Sequence, residues 1–194
     1  MTNFSDAFLL AVDHAMLYEV GPFWNPNDPD VIRGAIGTRD RNRKVGYVNI
    51  PADRGGETKY GIAQKPNPKI NVSALTLAES REVYYSEYWK SGSCDKLPEA
   101  VAIMHFDACI NHGVGRACKM LQESVGAVQD GAIGPKTLKA IQSTPQEKII
   151  NSLFNTRKNF YNYLVSKNSS QKIFLNGWMN RINEVSKYTL NKLK

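Results

Sequence analysis

No stretch of the sequence approaches the ~20 consecutive apolar residues that a membrane-spanning helix needs. The best candidate, residues 7–18, is short and carries Asp13 and His14. No membrane span is therefore expected. Cysteine is scarce: Cys94, Cys109 and Cys118 are an odd number without zinc-type clustering, so buried free thiols are the plain reading. Histidine is as scarce. His105 and His112 lie two helical turns apart, too far to share one ion, and no metal site or other cofactor is expected. There is no phosphate loop, dinucleotide fingerprint or nucleophile elbow, which weakens nucleotide-dependent and serine-hydrolase readings. The N-terminus, Met1-Thr2-Asn3-Phe4-Ser5-Asp6, lacks the basic start of a secretory signal, so the expectation is a product made in the cytoplasm. No repeat at a fixed period and no low-complexity tract is present.

What remains is ordinary globular composition, 42% hydrophobic and 22% charged. A chain of 194 residues buries roughly two-thirds of its unfolded surface, enough for a core and a cleft. The net charge of +7 is uneven: residues 1–95 carry 11 Lys/Arg against 12 Asp/Glu, residues 96–194 carry 14 against 6. A basic C-terminal half implies an anionic partner, whether nucleic acid, acidic membrane or cell wall. No nucleic-acid motif accompanies the charge, and nucleic acid is not an expected partner.

Residues 5–20 read as an amphipathic helix, with Phe8, Val12, Ala15 and Met16 on one face, Ser5 as N-cap and Gly21 as the stop. Residues 22–45 change texture. Pro22, Pro26, Pro29, Gly34 and Gly37 interrupt them, and apolar stretches at 31–36 and 45–48 flank a polar run, which predicts a β-hairpin. Thr76-Leu77-Ala78-Glu79 is a capping box opening a helix to about Trp89. Further helices are expected over 99–112, 115–124, 135–141, 145–165 (with Thr144 as N-cap and Pro145 in the first helical position) and 176–193, with a turn at 130–135. The fold class is mainly α, α+β, with a small β element near the start. The expected division is 1–95 and 96–194, packed as one body because no flexible linker stands near residue 95.

Hydrolysing a glycosidic bond takes one protonated carboxyl to serve the leaving oxygen and one ionised carboxylate. Glu19 suits the first role. It lies in the last helical turn, where the macrodipole disfavours ionisation, and Val20, Phe23 and Trp24 offer a desolvating wall. A solvated glutamate at a helix end is the plainer reading of the same residue. Asp53 suits the second role, with Arg54 and the amides around Gly55 and Gly56 keeping it ionised, although an Asx-turn explains it as well. Thr58 could hold a water and Tyr60 could pack on a sugar face.

Two segments together resemble the N-acetylmuramidases of glycoside hydrolase family 108. That family begins with a helix ending in Glu-Gly-Gly and continues with a stretch that Tyr47-Val48-Asn49-Ile50-Pro51-Ala52-Asp53-Arg54-Gly55-Gly56-Glu57-Thr58-Lys59-Tyr60-Gly61-Ile62 matches throughout. The C-terminal half resembles the helical peptidoglycan-binding module that accompanies it, through Tyr88-Trp89, the end of the 99–112 helix, Leu121-Gln122, Asp130 to Leu138 and Gly177 to Arg181. The resemblance implies a lysozyme-like helical fold and a phage endolysin that cleaves the β-1,4 bond between N-acetylmuramic acid and N-acetylglucosamine for host lysis, working on the wall as a monomer. Glu19, Asp53 and Thr58 would be catalytic. Asn49, Tyr60, Asp107 and Asn111 would bind substrate, while Trp178 fits the core better than a sugar platform. A lytic transglycosylase or a non-catalytic wall-binding module are the alternatives. One departure stands out: Glu19 and Asp53 are 34 positions apart, because residues 22–45 are inserted between them. The insertion is expected to form a flap whose Arg39, Arg41, Arg43 and Lys44 reach stem-peptide carboxylates.

Overall fold

The computed structural model describes residues 2–50 and 55–194. Among these, nine α-helices and one two-stranded hairpin give the mainly α, lysozyme-like fold that the sequence predicts. The chain divides into two compact units, one ending at Tyr85 and the next beginning at Ser86.

In the first unit, α1 (Asp6–Glu19) starts where the Ser5 hydroxyl accepts from the Phe8 N–H. Its buried residues, Phe8, Ala11, Val12, Ala15 and Met16, recur at the three-to-four spacing of one helical face. Phe4, Phe8 and Tyr85 cluster at 4.9–5.2 Å, and Arg81 of α4 (Leu77–Tyr84) donates to Asp13 at 2.7 Å. The Thr76/Glu79 capping box is present, with the Glu79 carboxylate accepting from the Thr76 N–H. The helix then continues as a wider π-helical turn over Tyr85–Lys90.

The insertion departs from expectation. Residues 22–45 form no hairpin but two short helices, α2 (Pro29–Arg33) and α3 (Arg39–Lys44). The reason is capping chemistry that outweighs the strand signal of the two apolar stretches. Asp28 accepts from the Asp30 N–H with Pro29 in the first helical position, and Gly34 ends α2 in the left-handed region; Thr38 accepts from the Arg41 N–H to start α3. Ion pairs join the two, Lys44 to Asp28 at 2.8 Å and Arg41 to Asp30 at 3.7 Å, while Arg33 pairs with Asp30 within α2 at 3.0 Å. The Lys44 ammonium lowers the Asp28 carboxyl below its usual range.

The β element lies later. β1 (Thr58–Lys59) pairs antiparallel with β2 (Ile62–Ala63), and Val48 bridges to Thr58. The connecting residues, Tyr60 and Gly61, both have positive φ, 51° and 74°, as a two-residue type I′ turn requires. A tyrosine in that region is strained by ~1–2 kcal/mol, and its surroundings hold it there. Its N–H donates to the Val45 carbonyl at 2.8 Å, its hydroxyl donates to the Val31 carbonyl, and its ring packs edge-on against Trp24.

In the second unit, α5 (Glu99–His112) is the central element, buried along ten consecutive residues and packed against α6 (Val114–Ser124), α8 (Gln146–Lys167) and α9 (Lys172–Asn191). Trp89 and Phe106 pack edge to face at 5.6 Å. Between α6 and α7 (Pro135–Gln142), the Asp130–Ala132 turn is pinned by the buried Gln122 amide, which donates to Asp130 and to the Ala132 carbonyl and accepts from the Gly131 N–H. Thr144 is not the N-cap of α8: its hydroxyl turns back to the Ala140 carbonyl, and Pro145 holds that place. Trp178 is stacked on Tyr161 at 4.9 Å. No helix among the described residues is long and apolar enough to cross a membrane.

Candidate active site

α1 ends at Glu19 because Val20 closes the last turn onto Met16 and Gly21 turns out at φ 103°. The inserted segment leaves the helix here and returns here. A Cβ on Gly46 would lie 3.2 Å from the Val20 Cα, so the two ends of the insertion meet at the tip of α1. Lengthening a loop whose ends stay together costs little closure entropy, and the insertion therefore leaves the motif strand beside the glutamate.

The contact with that strand is close. A Cβ on Gly61 would lie 2.9 Å from the Glu19 Cβ, 3.0 Å from Glu19 Oε2 and 2.7 Å from the Tyr84 hydroxyl, which itself donates to the Tyr60 carbonyl at 2.9 Å. Only glycine fits both this approach and φ 74°. Glu19 is half-buried, seated on the turn of the hairpin.

Next to it lies a groove of about 640 Å³, lined by Val20, Pro22 and Phe23, by Arg39, Asn42 and Arg43 of α3, and by Gly46, Tyr47 and Val48 of the motif. The Arg43 guanidinium stacks 3.7 Å from the Phe23 ring centroid. An apolar floor with a cationic edge suits a sugar carrying a carboxylate. Arg41 and Lys44, expected at the same task, are instead committed to Asp28 and Asp30.

Of the residues expected from sequence, Thr58 is half-buried in β1, its N–H and carbonyl both bonded to Val48 at 2.8 and 2.9 Å. Asn49 is exposed; its amide donates to the Tyr47 hydroxyl at 3.5 Å, which donates to Glu57 Oε2 at 2.9 Å. That bond raises the Tyr47 pKa. Asp53 lies outside the described residues.

Tyr60 cannot be a sugar platform, because the ring is fully buried and its hydroxyl is spent on Val31; burial pushes its pKa up. Its neighbour Lys59 is buried as well, donating to the Gly34 and Ser73 carbonyls at 2.6 and 2.8 Å, and burial lowers its pKa. Both residues face the insertion and anchor it.

Asp107 and Asn111 are likewise no open wall. Asp107 is 2% exposed and clamped between Arg157 at 2.5 Å and Arg181 at 2.8 Å. Burial alone would raise its carboxyl, yet the two guanidinium groups hold it below the usual range. The Asn111 amide donates to the Asp107 carbonyl at 2.7 Å. Two buried arginines need a counter-ion, and Asp107 supplies it.

Sequence reasoning passed over Gly61 and Tyr84, which contact the site directly. The signal for Gly61 was a Tyr-Gly pair between two short β-prone runs, the pattern of a tight hairpin. Tyr84 carried no local signal.

Residues 42–113 match the glycosyl hydrolase 108 family, and residues 116–183 match the predicted peptidoglycan domain. The chain resembles the solved structure of Brucella abortus SagA, with a TM-score of 0.64 and 34% identity over 75% of this chain and 86% of that one. No curated protein matches it. The chain belongs to the glycosyl hydrolase 108 family. It is a glycosidase acting on peptidoglycan, which is its partner. Glu19 precedes the matched residues, and its tie to them is the Gly61 contact.

Proposed function

We propose that the protein is an N-acetylmuramidase of the endolysin type, hydrolysing the β-1,4 bond between N-acetylmuramic acid and N-acetylglucosamine, with Glu19 as general acid. The observation that carries the reading is the seat of Glu19 on the Gly61 turn, beside a groove that joins family-motif residues to the insertion. The protonated Glu19 gives its proton to the glycosidic oxygen as the C1–O bond breaks; a water then adds to the oxocarbenium-like C1 and returns a proton to the site. Asp53 is assigned the charge-stabilising role. Glu57, the other carboxylate of the motif, is already occupied by the Tyr47 hydroxyl. Thr58 and Asn49 are assigned to the water and the substrate.

The test is Glu19→Gln. It should fold normally and release no new reducing ends from purified peptidoglycan; near-normal turnover would overturn the assignment. Mass spectrometry of wild-type products separates the chemistries, since hydrolysis leaves reducing muramic acid ends and transglycosylation leaves anhydro ends.

A further inference from the structure

The sequence spacing gives no hint of a metal site, yet the fold of the second unit gathers all three cysteines around one histidine. His105 and Cys109 are one helical turn apart on α5, Cys118 comes from α6, and Cys94 sits in the 3₁₀ turn Cys94–Lys96. All four are at most 2% exposed, and the three cysteines are free thiols. His105 Nε2 is 3.6 Å from Cys109 Sγ and 3.9 Å from Cys118 Sγ. The ligand atoms of Cys94, His105 and Cys109 lie within 4.8 Å of one another.

The His105–Cys109 separation is the edge of a coordination polyhedron, and the other separations are within reach of one. With Zn–S of about 2.3 Å and Zn–N of about 2.0–2.1 Å, a tetrahedral site has S···N edges near 3.6 Å and S···S edges near 3.8 Å. The Gly92 backbone packs directly against two of the sulfurs. Residue 92 is glycine, and a Cβ there would lie 2.8 Å from Cys109 Sγ and 3.3 Å from Cys94 Sγ. His105 presents Nε2 to this cluster, 3.1 Å from the Gly92 carbonyl, while Nδ1 has no hydrogen-bond partner among the described residues.

We propose that Cys94, His105, Cys109 and Cys118 form a structural zinc site that staples the turn after Trp89 to α5 and α6. Three protein ligands already face one another, and Cys118, 3.9 Å from His105 Nε2, supplies the fourth once its side chain turns toward them. On binding, the three thiols release their protons to solvent, and the imidazole proton passes from Nε2 to Nδ1, which frees the Nε2 lone pair for the metal. The closed, all-protein ligand set marks the role as structural rather than catalytic. The proposal does not depend on the muramidase reading.

The experiment is metal analysis of the whole wild-type chain, produced with zinc in the medium and purified under reducing conditions without chelator. One zinc per chain is expected, and chelation should lower Tm by roughly 10 °C or more. Cobalt(II) added to the metal-free chain should give thiolate charge-transfer absorption and the visible bands of a tetrahedral centre. A chain that stays zinc-free after reduction and dialysis against zinc overturns the proposal. So does a chain whose mass and thiol titration show a disulfide that cobalt cannot enter after reduction. Because Cys109→Ser falls in the central helix, Cys94→Ser in the short 3₁₀ turn is the companion variant, expected to weaken zinc retention at least tenfold.

Discussion

Gly61 and Glu19 stand so close that the hairpin turn acts as a seat for the carboxyl group, with 2.9 Å between the position of an added Cβ and the Glu19 Cβ. Gly61→Ala should therefore displace the carboxyl as well as strain the turn. Gly56 supplies the control. It has the same φ of 74°, but among the described residues a Cβ there meets only Gln64 and Lys65 at 3.6 and 3.8 Å, an ordinary distance. Both alanine variants should lose about 1–2 kcal/mol from left-handed backbone strain. Only Gly61→Ala should also lose kcat, by roughly 10–100-fold, as a misplaced catalytic group does. Initial rates on soluble muropeptide chains, alongside thermal melts of both variants, separate the two effects. Equal losses of kcat would remove Gly61 from the site.

That seat explains what could and could not be read in advance. α1, its N-cap and the capping box of α4 were legible because their signals are local: a hydroxyl or carboxylate three residues from an N–H, and apolar side chains every three to four positions. The placement of Glu19 in the site came from the resemblance, since a glutamate at a helix end is common. The insertion was misread because short apolar stretches at 31–36 and 45–48 flanking a polar run imitate two strands, while Asp28-Pro29-Asp30 and Thr38 cap helices. Tyr60 and Asp107 were misassigned for a different reason. Their partners, Val31 for one and Arg157 and Arg181 for the other, lie 29, 50 and 74 residues away. No local pattern encodes such pairings. The cysteine and histidine cluster was hidden in the same way, since Cys94 and Cys118 reach His105 only through the packing of α5 and α6.

The buried network around Asp107 predicts how the second unit responds to acid. Arg157 Nε donates to His112 Nε2 at 3.2 Å, so that nitrogen must keep its lone pair. Burial first, and then the charge of Arg157, push the His112 pKa down to about 3 from 6.5. Between those values the unfolded chain binds a proton that the folded chain refuses, so stability rises with pH across the window. The contribution is complete above about pH 6.5 and falls away as the pH drops toward 3, an effect on the order of a few kcal/mol. Below the ordinary carboxylate range, protonation of Asp107 adds to the loss, because its folded pKa is depressed too. His112→Gln keeps an acceptor for Arg157 without a titrating ring. Urea midpoints followed by tryptophan fluorescence should slope with pH in the wild type and flatten in this variant; parallel slopes would show that His112 is not the source.

The groove beside Glu19 makes its own demand on the substrate. Arg43 lies flat on Phe23, held at 3.7 Å from the ring centroid, and Arg39 lines the same groove, whereas Arg41 and Lys44 are neutralised by Asp28 and Asp30. If the Arg43 guanidinium meets the carboxylates of the wall polymer, its removal weakens ground-state binding and transition-state binding alike, so KM should rise while kcat changes little. Arg43→Ala should raise KM roughly 3–10-fold, the effect of one exposed charge-assisted contact. Arg41→Ala, which breaks only a surface ion pair, should leave KM within about twofold. Salt offers a second readout, since the wild type should lose affinity between low and high ionic strength and Arg43→Ala should lose less. Arg43→Lys restores the charge without the planar stack, and a KM between those of the wild type and the alanine variant would divide the effect between electrostatics and the hold of Phe23. A fall in kcat with KM unchanged in Arg43→Ala would instead place the insertion in the chemical step.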